Sequence, residues 1–196
     1  LPGYAAGAWG FREDTAPPPG LSMTLLVVLS LIGGAIGAGL LLVTSNEVFS
    51  IVVPWLLLAA TVLFAFGPQL RRLLAGGQAS TAKATVGVLA VAIYGGYFNG
   101  GLGILLLALF GLLGQTQLNA MNGLKNLVSA LLTAIAVAVY AVGDVVNWRY
   151  ALLMMLAATA GGYIGARVAR RIPAAWLRWG IVVTGLVMTG ILFWRQ

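Results

Sequence analysis

The chain contains no cysteine and no histidine. The first absence excludes disulfides and thiolate chemistry. The second removes the commonest metal ligand and the usual proton shuttle at neutral pH. Acidic residues are nearly as scarce: Glu13, Asp14, Glu47 and Asp144 are the full set. All four fall in predicted loops or at span ends, so no buried acid offers itself for proton coupling. A nucleophile paired with a base is equally missing. Gly101-Leu102-Gly103 is no dinucleotide fingerprint either, because no strand precedes it. Neither a cofactor nor a metal is implied.

Charge of any sign is sparse. Only 8% of the 196 residues are charged, where a soluble domain carries about a quarter. What fills the space is apolar: 61% of the chain is hydrophobic and its mean hydropathy is +1.00. Too few polar residues remain to coat a surface in water, and lipid is the solvent that fits. The net charge of +7 superficially fits a nucleic-acid partner. The basic residues, however, sit in short loops between apolar spans, as the positive-inside rule places them, so no nucleic acid is expected and the bilayer is the first partner.

Residues 1–20 combine Gly, Pro and Ala with Arg12, Glu13 and Asp14, and close in Pro17-Pro18-Pro19; these breakers and charges predict an extramembrane segment. Leu21 to Val43 is uncharged for 23 residues, enough to cross a hydrocarbon core of about 30 Å. After the turn Thr44-Ser45-Asn46-Glu47, a second span covers Val48 to Phe66 and tolerates Pro54 inside it. Residues 67–84 read as a cytoplasmic linker with Arg71, Arg72 and Lys83. Further spans are predicted at Asn119–Val142, Tyr150–Ala166 and Trp176–Trp194, with Trp176, Trp179 and Trp194 as interfacial anchors.

Between them lies Thr85–Leu113, apolar but interrupted by five glycines in the ten residues Tyr94 to Gly103. Each glycine costs a helix up to about 1 kcal/mol relative to Ala. The pattern predicts half-helices Thr85–Ile93 and Ile104–Leu113 around an unwound centre.

The chain also repeats itself. Gly33-Gly34-Ala35-Ile36-Gly37-Ala38 falls on Gly161-Gly162-Tyr163-Ile164-Gly165-Ala166 at an offset of 128, which also carries Thr61 onto Thr189. Internal repeats are a common way to build transporters. If Thr85–Leu113 crossed the membrane once, the eleven basic residues would divide six against five. If the half-helices form a re-entrant hairpin, nine fall on one side, leaving only Arg149 and Arg195 on the other. The hairpin obeys the charge rule and inverts one helix pair relative to the other, the inverted-repeat arrangement. The expected fold is therefore an all-α polytopic membrane bundle with a broken hairpin. On this reading residues 21–66 are a remnant of the first repeat and 85–196 are the second. The first copy's own hairpin and its equivalent of the Asn119–Val142 span are both expected upstream of Leu1, which makes the chain a fragment.

Irregular backbone at membrane depth is tolerated only where protein or a water-filled cavity satisfies it. The break at 94–103 is thus a candidate binding site. Its bare amides and the positive end of the following half-helix favour an anion. Gly100, Gly101 and Gly103 would admit a ligand to the backbone, and Asn99 offers a side-chain donor. Close helix packing is the plainer use of such glycines, but five glycines and an Asn favour binding. Asn119, Asn122, Asn126, Ser129 and Thr133 share one helical face; interhelical bonding and solute contact explain that stripe equally well. Lys125 reads first as a span-end charge reaching for headgroups and second as a partner for an anionic solute. Gly33/Gly37 and Gly161/Gly165 are read as helix-packing pairs.

Tyr94-Gly95-Gly96-Tyr97-Phe98-Asn99-Gly100-Gly101-Leu102-Gly103-Ile104 followed by Asn119-Ala120-Met121-Asn122-Gly123-Leu124-Lys125-Asn126 resembles the second-half signature of the sulfite exporter TauE/SafE permease family. Trp148-Arg149, the 161–167 glycine motif and Arg170-Arg171-Ile172-Pro173 resemble it too. Val53-Pro54-Trp55-Leu56-Leu57 is similar to the end of the family's first half. The resemblance implies a two-halved, multi-pass permease of the bacterial inner membrane that moves small anions such as sulfite or organosulfonates, and it is compatible with a homo-oligomer. The family's first-half glycine motif is not found in this chain, and Asn99 replaces the small residue of many relatives. The alternative function is a non-transporting membrane scaffold or assembly subunit, with 94–103 sealed by its neighbours. An intramembrane enzyme ranks last for want of catalytic groups.

Overall fold

The computed structural model describes residues 1–74, 81–169 and 174–194. The basic loop 170–173, Arg195 and the middle of the 67–84 linker lie outside the described residues. Every described element is helical: α1 (Pro2–Gly10), α2 (Met23–Val43), α3 (Asn46–Leu74), α4 (Thr81–Phe98), α5 (Leu102–Leu112), α6 (Leu118–Val142), α7 (Trp148–Ala169) and α8 (Ala174–Trp194). Helices are what a chain without surrounding water must form, because each backbone donor and acceptor is then satisfied within its own segment. Ser22 caps α2 by accepting from the Leu25 amide at 3.1 Å, and Ser45 caps α3 by accepting from Val48 at 3.3 Å. Pro54 is fully buried and α3 runs straight through it. That helix continues past Phe66 to Leu74, so the first residues of the predicted linker are helical.

α2, α4 and α6 run in the same direction and form the centre. A Cβ on Gly33 would stand 2.6 Å from Ala92 Cβ, and one on Gly37 would collide with the Ile93 carbonyl and reach Tyr97 N at 2.7 Å. Position 34 meets Leu132 and Ile135, and Gly143 meets Leu42. The small residues of α2 thus bring three backbones together, and the predicted packing role of Gly33 and Gly37 is what the structure shows. Around them Leu26, Val88, Leu102, Leu106, Phe110, Met121, Leu124, Val128 and Leu132 make one buried cluster.

α5 folds back along α4: position 95 meets Leu102 at 2.8 Å, while position 87 meets Leu109 at 2.8 Å. Had the two helices continued in one direction, Gly87 and Leu109 would be roughly 30 Å apart at 1.5 Å per residue. The pair is therefore a hairpin that returns to its starting side, and the shared direction of α2 and α6 follows from that return.

α3 and α8, the two helices that the 128-residue offset relates, meet directly. Trp55 stacks edge-on against Phe193 with centroids 5.1 Å apart, and Thr61 packs on Gly185, so the two helices are antiparallel. Thr61 and Thr189, related by the offset, are both buried. Each donates its hydroxyl to the carbonyl four residues back, Leu57 at 2.8 Å and Gly185 at 2.7 Å. Antiparallel contact between equivalent helices is the geometry that a two-fold axis in the membrane plane produces.

Residues 1–20 are more ordered in shape than their breakers imply. α1 lies antiparallel to the first turns of α6, with Gly7 against Asn126 and Phe11 and Thr15 over Gly123. Beyond it, Gln115 Nε2 donates to the Ala16 carbonyl at 3.2 Å and Pro18 is fully buried.

Candidate functional site

The unwound segment is shorter than the glycine count predicts. α4 stays helical through Tyr94, Gly95, Gly96 and Tyr97, and only Asn99, Gly100 and Gly101 are non-helical. The reason is packing. A Cβ at Gly96 would strike the Gly34 carbonyl and lie 2.9 Å from Gly34 Cα, so the intrinsic cost of glycine is offset by backbone contact with α2.

The turn itself is built from left-handed residues. Asn99 has φ 35 and Gly101 φ 70. Asparagine is one of the few side chains that tolerate this region at the end of a helix. Asn99 N donates to Gly95 O at 3.3 Å, and Leu102 N donates to Asn99 O at 3.4 Å. The Gly100 amide turns to the Phe98 carbonyl, which deprives the Gly96 carbonyl of its ordinary helical donor. Tyr140 of α6 replaces that donor, its hydroxyl 3.2 Å from Gly96 O, and Tyr94 donates to the Gly100 carbonyl at 2.5 Å. Two tyrosines therefore satisfy acceptors that the break exposes, where an unpaired carbonyl would cost on the order of several kcal/mol in lipid. Tyr97 closes the far end of α4, 3.5 Å from Thr44 Oγ1 and beside the Phe49 ring.

On the other side of the turn the donors are spare. The Ile104 and Leu105 amides bond to the Gly101 carbonyl, but those of Gly101 and Gly103 donate to no acceptor among the described residues. These amides open an eleven-residue helix, whose N-terminus carries about half a positive charge. The Lys125 side chain lies here as well. Its Cδ is 3.4 Å from the place a Gly103 Cβ would occupy, and its Nζ donates to Asn122 Oδ1 at 3.2 Å. Lys125 is partly buried, with its stem against α5 at Gly103.

The structure brings Gly101, Gly103, Asn122 and Lys125 into one neighbourhood and leaves others outside it. Asn99 is exposed and serves through its backbone. The missing Cβ of Gly100 makes room for the Phe98 ring, and that of Gly101 for Ala60 of α3. Asn119 is exposed in the first turn of α6, while Asn126 turns to α1. Farther along the stripe Ser129 is buried, and its carbonyl accepts from Thr133 Oγ1 at 2.7 Å.

Sequence reasoning missed Tyr94, Tyr140 and Gly7. A search for hydroxyl donors inside apolar spans finds both tyrosines, since a membrane helix break must be supplied with donors from somewhere. Gly7 was hidden by the assignment of residues 1–20 to solvent. The sequence profile of the family described as sulfite exporter TauE/SafE matches residues 1–192, so the match includes α1. No curated protein and no solved structure matches the chain.

Proposed function

The chain belongs to the sulfite exporter TauE/SafE family, and from that premise we propose that it is a permease of small anions such as sulfite or organosulfonates, with the solute held between the α5 N-terminus and Lys125. One observation carries the reading: the partly buried Lys125 stem lies along Gly103, where two backbone amides point to no acceptor among the described residues. Charged groups at membrane depth are costly and mark solute pathways. A lysine beside a helix N-terminus is a pair of positive features that an anion stabilises. Asn122 orients the ammonium, and the tyrosine-capped turn holds the amides in place. The expected setting is a multi-pass protein of the inner membrane.

The test is anion-dependent stabilisation of the purified full chain. Sulfite should raise its melting temperature in a saturable way. Lys125→Met should weaken apparent affinity about 10- to 100-fold, the worth of one charge-assisted hydrogen bond. Equal stabilisation of both proteins by sulfite would reject the site.

A second reading, a non-transporting scaffold, has its own observation in its favour: Gly34, Phe98 and Ala60 fill the spaces beside Gly96, Gly100 and Gly101. It expects no sulfite flux in proteoliposomes and no effect of Lys125→Met on anything but stability.

A further inference from the structure

Three peptide units make the turn between α4 and α5, and two of them are held at both ends. In the unit joining Asn99 to Gly100, the carbonyl accepts from Leu102 N and the amide donates to Phe98 O. In the unit joining Gly101 to Leu102, the carbonyl accepts from Ile104 and Leu105, and the amide donates to Asn99 O. The unit joining Gly100 to Gly101 is different. Among the described residues its single hydrogen bond is the one its carbonyl accepts from the Tyr94 hydroxyl at 2.5 Å. The peptide is trans, so its C=O and N–H point in opposite directions. Holding the Gly100 carbonyl toward Tyr94 therefore turns the Gly101 amide away from it. With glycine at both ends of the unit, no Cβ resists its turning over. The Phe98 ring braces the phenol: it stands edge-on to Tyr94 with centroids 6.2 Å apart and fills the space beside Gly100.

We propose that Tyr94 is a positioning residue of the anion site: its hydroxyl fixes the Gly100–Gly101 peptide so that the α5 N-terminus offers the Gly101 amide as a donor. This rests on the reading of the α5 N-terminus and Lys125 as the anion site. Without the hydroxyl the peptide turns over, and a carbonyl oxygen replaces a donor where an anion should bind. Tyr140 cannot take this part. The Gly96 carbonyl that it serves shares a peptide unit with the Tyr97 amide, which lies inside α4 and belongs to no spare pair of donors.

The experiment reads sulfite affinity from the thermal stabilisation of the purified full chain. Tyr94→Phe should weaken it about tenfold or more, the worth of one hydrogen bond to a charged group. Tyr140→Phe removes a hydroxyl from the same turn and should weaken it far less. Equal losses would mean that either hydroxyl merely firms the turn, and would overturn the proposal, as would parental affinity in Tyr94→Phe. A second measurement needs no change at Tyr94. In protein labelled with 15N-glycine, saturating sulfite should shift the Gly101 amide resonance, identified by its absence from Gly101→Ala. A resonance that stays in place overturns the proposal even if Tyr94→Phe fails to fold. Lys125→Met separates the two levels. If it binds sulfite as the parent does, the site reading fails and the role of Tyr94 with it. If it loses sulfite while Tyr94→Phe behaves as the parent, only the role of Tyr94 is wrong.

Discussion

Gly33 and Gly161, the residues that open the two glycine motifs, meet opposite surroundings. In α2, Gly33, Gly34 and Gly37 are buried against α4 and α6, close enough that any Cβ would strike a neighbour. In α7, the equivalent Gly161 has nothing within 4 Å, and residues 152–161 are exposed. The offset makes Gly33 and Gly161 equivalent in sequence, yet only Gly33 stands against another helix; the side chains of the rest of the second motif, Gly165 included, lie outside the described residues. A small-residue motif therefore records the ability of a helix to approach another backbone, and the approach itself depends on which helix stands opposite. α4 carries matching glycines at 95 and 96 and presents them to α2 and α6.

The largest effect expected from this contrast is at Gly37. Gly37→Ala places a methyl group on the backbone of Ile93 and Tyr97, where neither atom can turn away. The overpacking should cost about 3 kcal/mol or more, read as a loss of folded protein in a denaturation series. Gly161→Ala should stay within about 1 kcal/mol of the parent, with helix propensity in its favour. Equal costs at the two positions would break the comparison. Next is Gly101→Ala, strained by its φ of 70 and by Ala60 Cβ at 2.9 Å; about 1–3 kcal/mol is expected, with faster hydrogen exchange confined to the hairpin turn. Tyr140→Phe removes only the hydroxyl that serves the Gly96 carbonyl. It should cost about 0.5–1.5 kcal/mol and raise amide exchange at 99–101 without altering the α3–α8 pair. The smallest pair of effects sharpens the repeat. Thr61→Val and Thr189→Val each remove one back-bond to the preceding turn, and each should shift stability by under about 1 kcal/mol, in the same direction.

Much of this architecture was legible from residue type and spacing. Apolar run lengths located α2, α6, α7 and α8 to within a few residues, because a bilayer demands a fixed length of uncharged helix. The charge balance selected the hairpin over a single crossing, and the antiparallel contacts of Gly87 and Gly95 with α5 agree with it. The width of the break was misjudged because glycine reports both flexibility and thinness. At Gly95 and Gly96 thinness decides, through contacts with Leu102, Leu132 and Gly34 that local sequence does not reveal. α1 was missed for a related reason. Its Pro and Gly residues read as breakers, although Pro2 stands in the first turn, where its missing amide is harmless. The 128-residue offset would carry Pro2–Gly10 onto 130–138, inside α6, and that signal could have identified the helix. At the site, Lys125 and Asn122 were visible as polar residues in an apolar span, but the contact between Lys125 and Gly103 depends on how α5 returns.

That return is the claim on which site and mechanism both depend, and the lack of native cysteine makes it directly measurable. Single substitutions Gly20→Cys, Ser45→Cys and Thr116→Cys in the full chain can be labelled with a membrane-impermeant maleimide in sealed, oriented vesicles. The account predicts that Thr116→Cys reacts from the same side as Gly20→Cys and from the side opposite to Ser45→Cys. Labelling of Thr116→Cys together with Ser45→Cys would mean that residues 81–112 cross the membrane once, and would contradict it.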